Sequence, residues 1–178
     1  MKKLFSLLLA LCLLCVSAAA LAETVELDGL TFELNNGEYF VKGEKTDQVY
    51  LQIYPFFSKG DGSTNITVSY VEGASSYTAD QFKDAAGQIE EVLKSGLEAQ
   101  GIQVDSVTMK DPYEATLNDV PCIAIEFEMQ VSAYGMSLAI CERLIALGKG
   151  DYLLAVTAMN QDDLDTATAQ MADSMTIQ

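Results

Sequence analysis

The stretch VPCIAIEFEMQVSAYGMSLAICERL, residues 120–144, decides the fold of this chain. Apolar residues recur at alternate positions on both sides of the Tyr-Gly pair at 134–135. This pattern is typical of two β-strands joined by a two-residue turn. The stretch therefore predicts an antiparallel hairpin, and the hairpin fixes which residues face one another.

Glu126 and Glu128 are the residues of this hairpin for which a catalytic role has to be weighed. The register places Glu126 opposite Arg143, the chain's only arginine. An oppositely charged cross-strand pair contributes about 0.2–1 kcal/mol, which favours a structural ion pair. Two glutamates at i, i+2 could also reach the roughly 5 Å carboxyl spacing of a retaining glycosidase. The arginine would keep both carboxylates ionised, however, whereas a general acid needs a raised pKa.

Cys122 and Cys141 are the two cysteines that follow position 22. The same register places Cys141 opposite Glu128 and Cys122 opposite Leu147. The two sulfurs then share a face but lie roughly 20 Å apart, at ~3.3 Å per residue. Because a disulfide needs Cα atoms within about 7 Å, two separate buried thiols are favoured. A disulfide is the alternative, since exported proteins often meet oxidising conditions.

Both faces of the hairpin are apolar, so the predicted sheet needs cover on both sides. One face carries Ile123, Ile125, Phe127, Met129 and Val131, and the other carries Cys122, Ala124, Cys141, Ile145 and Leu147. Short connections predict an antiparallel meander of three strands, at about 121–132, 137–147 and 151–159.

Two helices are predicted to supply that cover. The first spans about 79–100, with Thr78 and Gln81 at capping-box spacing and Gly101 just past its end. The second spans about 161–174, with Asn160 as its N-cap.

The first half of the chain predicts short strands in two hairpins. The first hairpin is expected to turn at 35–37, joining the period-two residues at 30–34 to those at 39–41. The second joins 49–57 to 64–71, with Pro55 at an edge or a strand end. A further strand is expected at 101–109, followed by a loop at 111–121. The fold class is α+β, an antiparallel sheet with N-terminal hairpins and two main helices.

The first 22 residues predict a signal peptide. Lys2 and Lys3 precede an apolar run, and the motif Ala-Leu-Ala at 20–22 fits cleavage before Glu23. The prediction is an unlipidated, secreted or extracytoplasmic protein that begins at Glu23. Lipidation of Cys12 or Cys15 is disfavoured because leucine precedes each. Residues 23–178 are expected to form a single domain.

Composition excludes several functions. After residue 22, eight basic residues face 26 acidic ones, a net charge of −18. Such a field repels phosphate backbones and anionic lipids, so neither nucleic acid nor a membrane is an expected partner. A basic or envelope protein partner and loosely held cations remain open, and so does a role in solubility alone. The chain contains no histidine, which removes histidine-based triads and histidine-ligated zinc.

Three weaker motifs favour ordinary structure over binding. The segment KGDGSTN at 59–65 lacks the acidic pattern of a calcium loop, which favours a flexible turn. Asp162, Asp163 and Asp165 could gather a cation, but the first turn of a helix favours negative charge on its own. The aromatic run at 54–57 is interpreted as core, with an exposed binding patch as the alternative.

The order of elements resembles the PsbP-like superfamily, which includes exported bacterial proteins of the DcrB type. The resemblance lies in TADQF at 78–82, LNDVPCIAIEFE at 117–128, GDYLLAVTA at 150–158 and the ending MADSMTIQ at 171–178. It implies an α/β/α sandwich around an antiparallel sheet. Members mostly serve as accessory or binding proteins whose partners differ.

These observations predict an exported, non-catalytic binding or accessory module of the cell envelope or extracellular space. The alternative is an Asp/Glu hydrolase acting on cell-wall or polymeric sugars, which requires a cleft containing a carboxyl with a raised pKa. No catalytic residue, cofactor or metal ligand is predicted.

Overall fold

A computed structural model describes residues 23–27, 29–34, 40–42, 51–55, 63–99, 101–133 and 135–177. Within these ranges the chain forms eleven strands, two α-helices and one short 3₁₀ turn at Ala74–Ser76. The helices are α1 (Ala79–Glu98) and α2 (Gln161–Ser174). The strands are β1 (Glu23–Leu27), β2 (Leu30–Leu34), β3 (Phe40–Lys42), β4 (Leu51–Pro55), β5 (Asn65–Tyr70), β6 (Gln103–Met109), β7 (Tyr113–Leu117), β8 (Val120–Ala133), β9 (Met136–Leu147), β10 (Tyr152–Ala158) and β11 (Met175–Ile177).

The larger sheet has the strand order β3-β4-β5-β10-β9-β8-β6, and β7 pairs with the first part of β8. Every pairing in it is antiparallel. The meander predicted from the sequence is β8, β9 and β10. Its register is confirmed, because Glu126 pairs with Arg143 and Cys122 pairs with Leu147.

Both faces of this sheet are covered, as the two apolar faces of β8 and β9 predict. Helix α1 packs on one face against Ile125, Phe127 and Met129, and α2 packs on the other against Ile145 and neighbouring side chains. The α+β fold with helices on opposite faces of an antiparallel sheet is thereby confirmed. We call the two sides the α1 face and the α2 face.

The helix boundaries follow from the capping residues that the sequence contains. Thr78 Oγ1 accepts from the Gln81 amide and Gln81 accepts from the Thr78 amide, which completes the predicted capping box of α1. Gly101 has a φ of 79° just beyond the end of α1. The side chain of Asn160 accepts from the amide of Asp163 and caps α2.

The predicted first hairpin is wrong. Strand β2 pairs with β1 through a tight turn at Gly29, whose φ is 77°. It also pairs with β11 in a separate three-stranded sheet. Strand β3 pairs instead with β4. The Asp-Gly sequence at 28–29 is a strong signature of a two-residue hairpin turn, and it sets the register of β1 and β2.

The expected loop at 111–121 is also wrong, because residues 113–117 form β7. A two-residue turn joins β7 to β8 at Asn118 and Asp119, whose φ angles are 49° and 63°. Asparagine and aspartate tolerate this left-handed region better than most residues. Asn118 Nδ2 also donates to the carbonyl of Ala172 at 2.9 Å, which ties the turn to the end of α2.

Other predictions of strands in the N-terminal half are confirmed in part. Strands β4 and β5 pair as expected, and Pro55 is the last residue of β4. The predicted signal peptide at 1–22, the end of the predicted strand at 49–57 and all but the last residue of the loop at 58–63 lie outside the described residues. Among the described residues, no helix is both long enough and apolar enough to cross a membrane.

Candidate functional site

The Glu126–Arg143 pair predicted from the sequence is the centre of a larger charged cluster between the sheet and α2. Arg143 Nε and Nη2 donate to Glu126 Oε1 at 2.9 and 2.6 Å. Lys110 Nζ donates to Glu126 Oε2 at 2.8 Å, and the Tyr113 hydroxyl donates to Oε1 at 3.0 Å. Arg143 Nη2 also donates to Asp165 on α2 at 2.6 Å. We call these five residues the Glu126 cluster.

The electrostatics of the Glu126 cluster identify Glu126 as a permanently ionised acceptor. Burial alone would raise the pKa of this carboxyl, but hydrogen bonds from Lys110 and Arg143 lower it to about 2. A carboxylate in this state cannot serve as a general acid at neutral pH. Glu128, by contrast, is 51% exposed and lies 3.4 Å from Lys110. Both glutamates therefore bind Lys110, and Glu126 also binds Arg143, which in turn contacts α2 through Asp165.

The two cysteines are separate buried thiols in the structure, as the register predicts. Cys141 pairs with Glu128, and Cys122 lies at the far end of the hairpin opposite Leu147. Burial raises the pKa of both thiols, which lowers the thiolate fraction at neutral pH.

The three aspartates near the start of α2 have different roles. Asp162 and Asp163 lie in the first turn of the helix, where the helix dipole favours negative charge. Asp165 belongs to the Glu126 cluster. Across the part of the chain that the structure describes, no group of three or more acidic or cysteine residues is arranged to hold a metal ion. Most of the segment at 59–65, and the side chains of the aromatic run at 54–57, lie outside the described residues.

A cavity of about 440 Å³ opens at one end of the larger sheet. Its lining includes Tyr77, Glu114, Cys122 and Gly148. The backbone of β8 lies close to the residue that follows β9 here, and the Gly148 amide donates to the Pro121 carbonyl at 2.8 Å. A Cβ at Gly148 would lie 2.6 Å from the same carbonyl oxygen. The walls of this cavity are therefore fixed by backbone contacts.

A second, smaller pocket of about 150 Å³ lies on the α1 face beside the end of α1. Its polar lining includes Asn65 on β5, Thr157 on β10 and Glu142 on β9. These three residues pair directly across adjacent strands and so form one row on the sheet. Leu97 and Ile140 are among its apolar walls. We call this the Glu142 pocket.

Glu142 is the functional candidate that the sequence analysis missed. Its side chain is buried, with 1% of the residue exposed, and Oε1 has no hydrogen-bond partner among the described residues. Burial raises the pKa of this carboxyl to about 7. One signal was available in the sequence: Glu142 interrupts an apolar face of β9 between Ile140 and Leu144.

Comparison with known proteins supports the fold. No protein-family model matches the chain, and no curated protein matches it in sequence. Among solved structures, it is similar to the cyanobacterial PsbP protein (CyanoP) of Synechocystis sp. PCC 6803, with a TM-score of 0.52 and 13% identity. That match covers 94% of this chain and 99% of the other. The PsbP-like fold is thereby confirmed, and at this identity the likeness extends to the fold alone.

Two weaker similarities involve proteins of other bacteria. One is a protein of Bacteroides thetaiotaomicron VPI-5482, with a TM-score of 0.49 and 11% identity, covering 84% of this chain and 45% of that chain. The other is LpqN, described as involved in cell envelope biogenesis of Mycobacterium tuberculosis. It has a TM-score of 0.44 and 10% identity, and the match covers 91% of this chain and 88% of that one.

Proposed function

We propose that this chain is an exported, non-catalytic binding or accessory module of the cell envelope or extracellular space. The observation that carries the proposal is the state of Glu126. The carboxyl group that the sequence nominates for acid catalysis accepts hydrogen bonds from Lys110, Tyr113 and Arg143, and these bonds hold its pKa near 2. Glu126 thus joins β8 to Arg143 on β9, and Arg143 also binds Asp165 on α2. The two pockets supply concave surfaces suited to binding.

The alternative, an Asp/Glu hydrolase of polymeric sugars, gains one specific observation from the structure. Glu142 has the raised pKa, of about 7, that a general acid requires. Hydrolysis by either standard mechanism also needs a second carboxylate across the sugar. The described lining of the Glu142 pocket contains no other acidic side chain. We therefore place binding ahead of hydrolysis.

The test compares hydrolysis by three forms of the protein. Purified protein, Glu126→Gln and Glu142→Gln are each incubated with peptidoglycan and with soluble polysaccharides, and release of reducing ends is measured. We expect no release above the protein-free blank from any form. Release by the unaltered protein that Glu142→Gln abolishes would establish the hydrolase instead. Release abolished only by Glu126→Gln would also overturn the structural role given to Glu126.

The exported part of the proposal has its own measurement. Protein recovered from the producing cell is expected to have an intact mass that corresponds to a chain beginning at Glu23, without an added lipid. A mass that includes the apolar run of residues 4–16, or a diacylglyceryl adduct, would contradict secretion as a free protein.

A further inference from the structure

The Glu142 pocket presents an unusual excess of oxygen acceptors. Glu142 Oε1, Thr157 Oγ1 and Asn65 Oδ1 are all shielded from solvent, and none has a hydrogen-bond partner among the described residues. Buried polar atoms are nearly always hydrogen-bonded in folded proteins, because leaving them unpaired is unfavourable. Three such atoms on one cross-strand row therefore indicate that their donors lie outside the described residues.

The position of the three residues brings their oxygens into one region. They are direct neighbours on β5, β10 and β9, and paired side chains on adjacent antiparallel strands lie about 4.5–5.5 Å apart at Cβ. All three line the same pocket of about 150 Å³. A cavity of roughly this volume can hold one small organic molecule the size of benzene.

We propose that the Glu142 pocket binds a primary ammonium ion carrying a short aliphatic chain. The proposal rests on the binding function proposed above and identifies its ligand class. The ammonium group has three N–H donors and no acceptor, which matches a site built from three oxygens. Its positive charge compensates the buried Glu142 carboxylate. Its chain would contact the apolar walls of the pocket, which include Leu97, Ile102, Met129 and Ile140.

The same lining disfavours an inorganic cation. Calcium takes six to eight oxygen ligands and magnesium retains an octahedral oxygen shell. The described pocket supplies only one carboxylate, and most of its lining residues are apolar. The net charge of −18 that remains after residue 22 favours cationic over neutral or anionic ligands at long range.

Binding of such a cation must be coupled to ionisation of Glu142. The groups that face this carboxyl from the packed elements are uncharged: Asn65 from β5, Thr157 from β10, Leu97 from α1 and Met129 from β8. No other described lining residue titrates, so the pH dependence of binding reports on Glu142. With a free-state pKa of about 7, ammonium affinity should be about 100-fold weaker at pH 5 than at pH 8.

The test titrates the purified protein with n-butylammonium chloride and, separately, with 1-butanol, its neutral analogue of similar shape. Calorimetry at pH 8 should give a dissociation constant for n-butylammonium on the order of 1 mM or lower. At pH 6 binding should release nearly one proton per site. Butanol should bind at least tenfold more weakly, since it cannot compensate the Glu142 carboxylate.

Three variants locate the effect. Glu142→Gln keeps the shape of the side chain and should weaken n-butylammonium binding at pH 8 at least tenfold. Thr157→Val removes one acceptor at similar volume and should weaken it several-fold. Glu91→Gln, which removes an exposed charge from α1, should leave binding unchanged.

Several outcomes would overturn the inference. They are no n-butylammonium binding at pH 8, equal binding of butanol, unchanged binding by Glu142→Gln, and calcium binding that excludes n-butylammonium. Any of these would leave the non-catalytic assignment standing, whereas hydrolysis of a polysaccharide would refute that assignment on its own.

Discussion

Substitution of Glu142 by glutamine should stabilise the protein at alkaline pH and have little effect at acidic pH. The carboxyl is buried, and its pKa of about 7 in the folded chain compares with 4.5 for a glutamate in water. The folded state therefore keeps a proton that the unfolded state releases as pH rises above about 4.5. The contribution of Glu142 to stability is complete below that pH and is lost as pH rises through 7.

The magnitude follows from the shift. A difference of about 2.5 pKa units corresponds to about 3 kcal/mol, at 1.36 kcal/mol per unit. Glutamine has nearly the same shape but no ionisation, so this cost is absent from the variant. Between pH 4 and pH 8, the stability of Glu142→Gln relative to the unaltered protein should rise by about 3 kcal/mol.

Urea unfolding followed by far-ultraviolet circular dichroism, at half-unit steps from pH 4 to pH 8, measures this difference. Taking the difference between variant and parent removes the pH dependence of the other carboxyl groups. Glu91→Gln controls for the removal of one negative charge, because its side chain is exposed on α1. A difference curve that is flat to within about 0.5 kcal/mol, or that falls with pH, would refute the buried, uncompensated state of Glu142.

Three further predictions address the rest of the fold. Glu126→Gln should lower the free energy of unfolding by about 3 kcal/mol at pH 7, and by less as pH falls from 4.5 towards 2, where the contribution of the carboxylate is lost. Glu128→Gln, at an exposed position, should lower it by less than ~1 kcal/mol. Equal losses for the two variants in denaturant unfolding would contradict the buried Glu126 cluster. Gly148→Ala should lower stability by more than about 1 kcal/mol because its Cβ would lie 2.6 Å from a backbone carbonyl oxygen. Gly87→Ala, on the open side of α1, should raise stability by up to about 1 kcal/mol. A Gly148→Ala variant as stable as the unaltered protein would show that the backbone at Gly148 does not fix the cavity wall. Thiol titration of protein that begins at Glu23, without reductant, should find two reactive groups after unfolding and slow reaction before it. Finding none after unfolding would mean that the register of β8 and β9 is wrong.

Local patterns in the sequence were sufficient for the centre of the fold. The period-two pattern on either side of residues 134–135 sets the register of β8 and β9, and every pair that it predicts is present. The ends of α1 and α2 follow from the caps at Thr78 and Asn160. Both features depend on residues near one another in the chain.

Long-range and unusual local features were not predicted. The pairing of β2 with β11 joins residues about 145 positions apart and is decided by packing of the chain end, which no local pattern reports. The hairpin at Asn118 and Asp119 was missed because its turn contains no glycine, although both residues adopt positive φ.

The same distinction applies to the candidate sites. The sequence identified the pairing of Glu126 with Arg143, since both lie in one hairpin. It did not identify Lys110 and Asp165 as partners, so the cross-strand figure of up to about 1 kcal/mol leaves out the contribution of these two residues. Glu142 became a candidate only when α1 and β5 were placed around it.

The most direct test of this account is the titration of the two carboxyl groups, Glu126 and Glu142, by carbon-13 NMR of protein labelled at glutamate. We assign Glu126 a structural role and propose that Glu142 is the carboxyl group that responds to ligand. We expect the Glu126 carboxyl to titrate near pH 2 and Glu142 near pH 7, with only the Glu142 pKa falling when n-butylammonium is added. A Glu142 pKa near 4.5 that is insensitive to n-butylammonium, together with a raised pKa at Glu126, would contradict it.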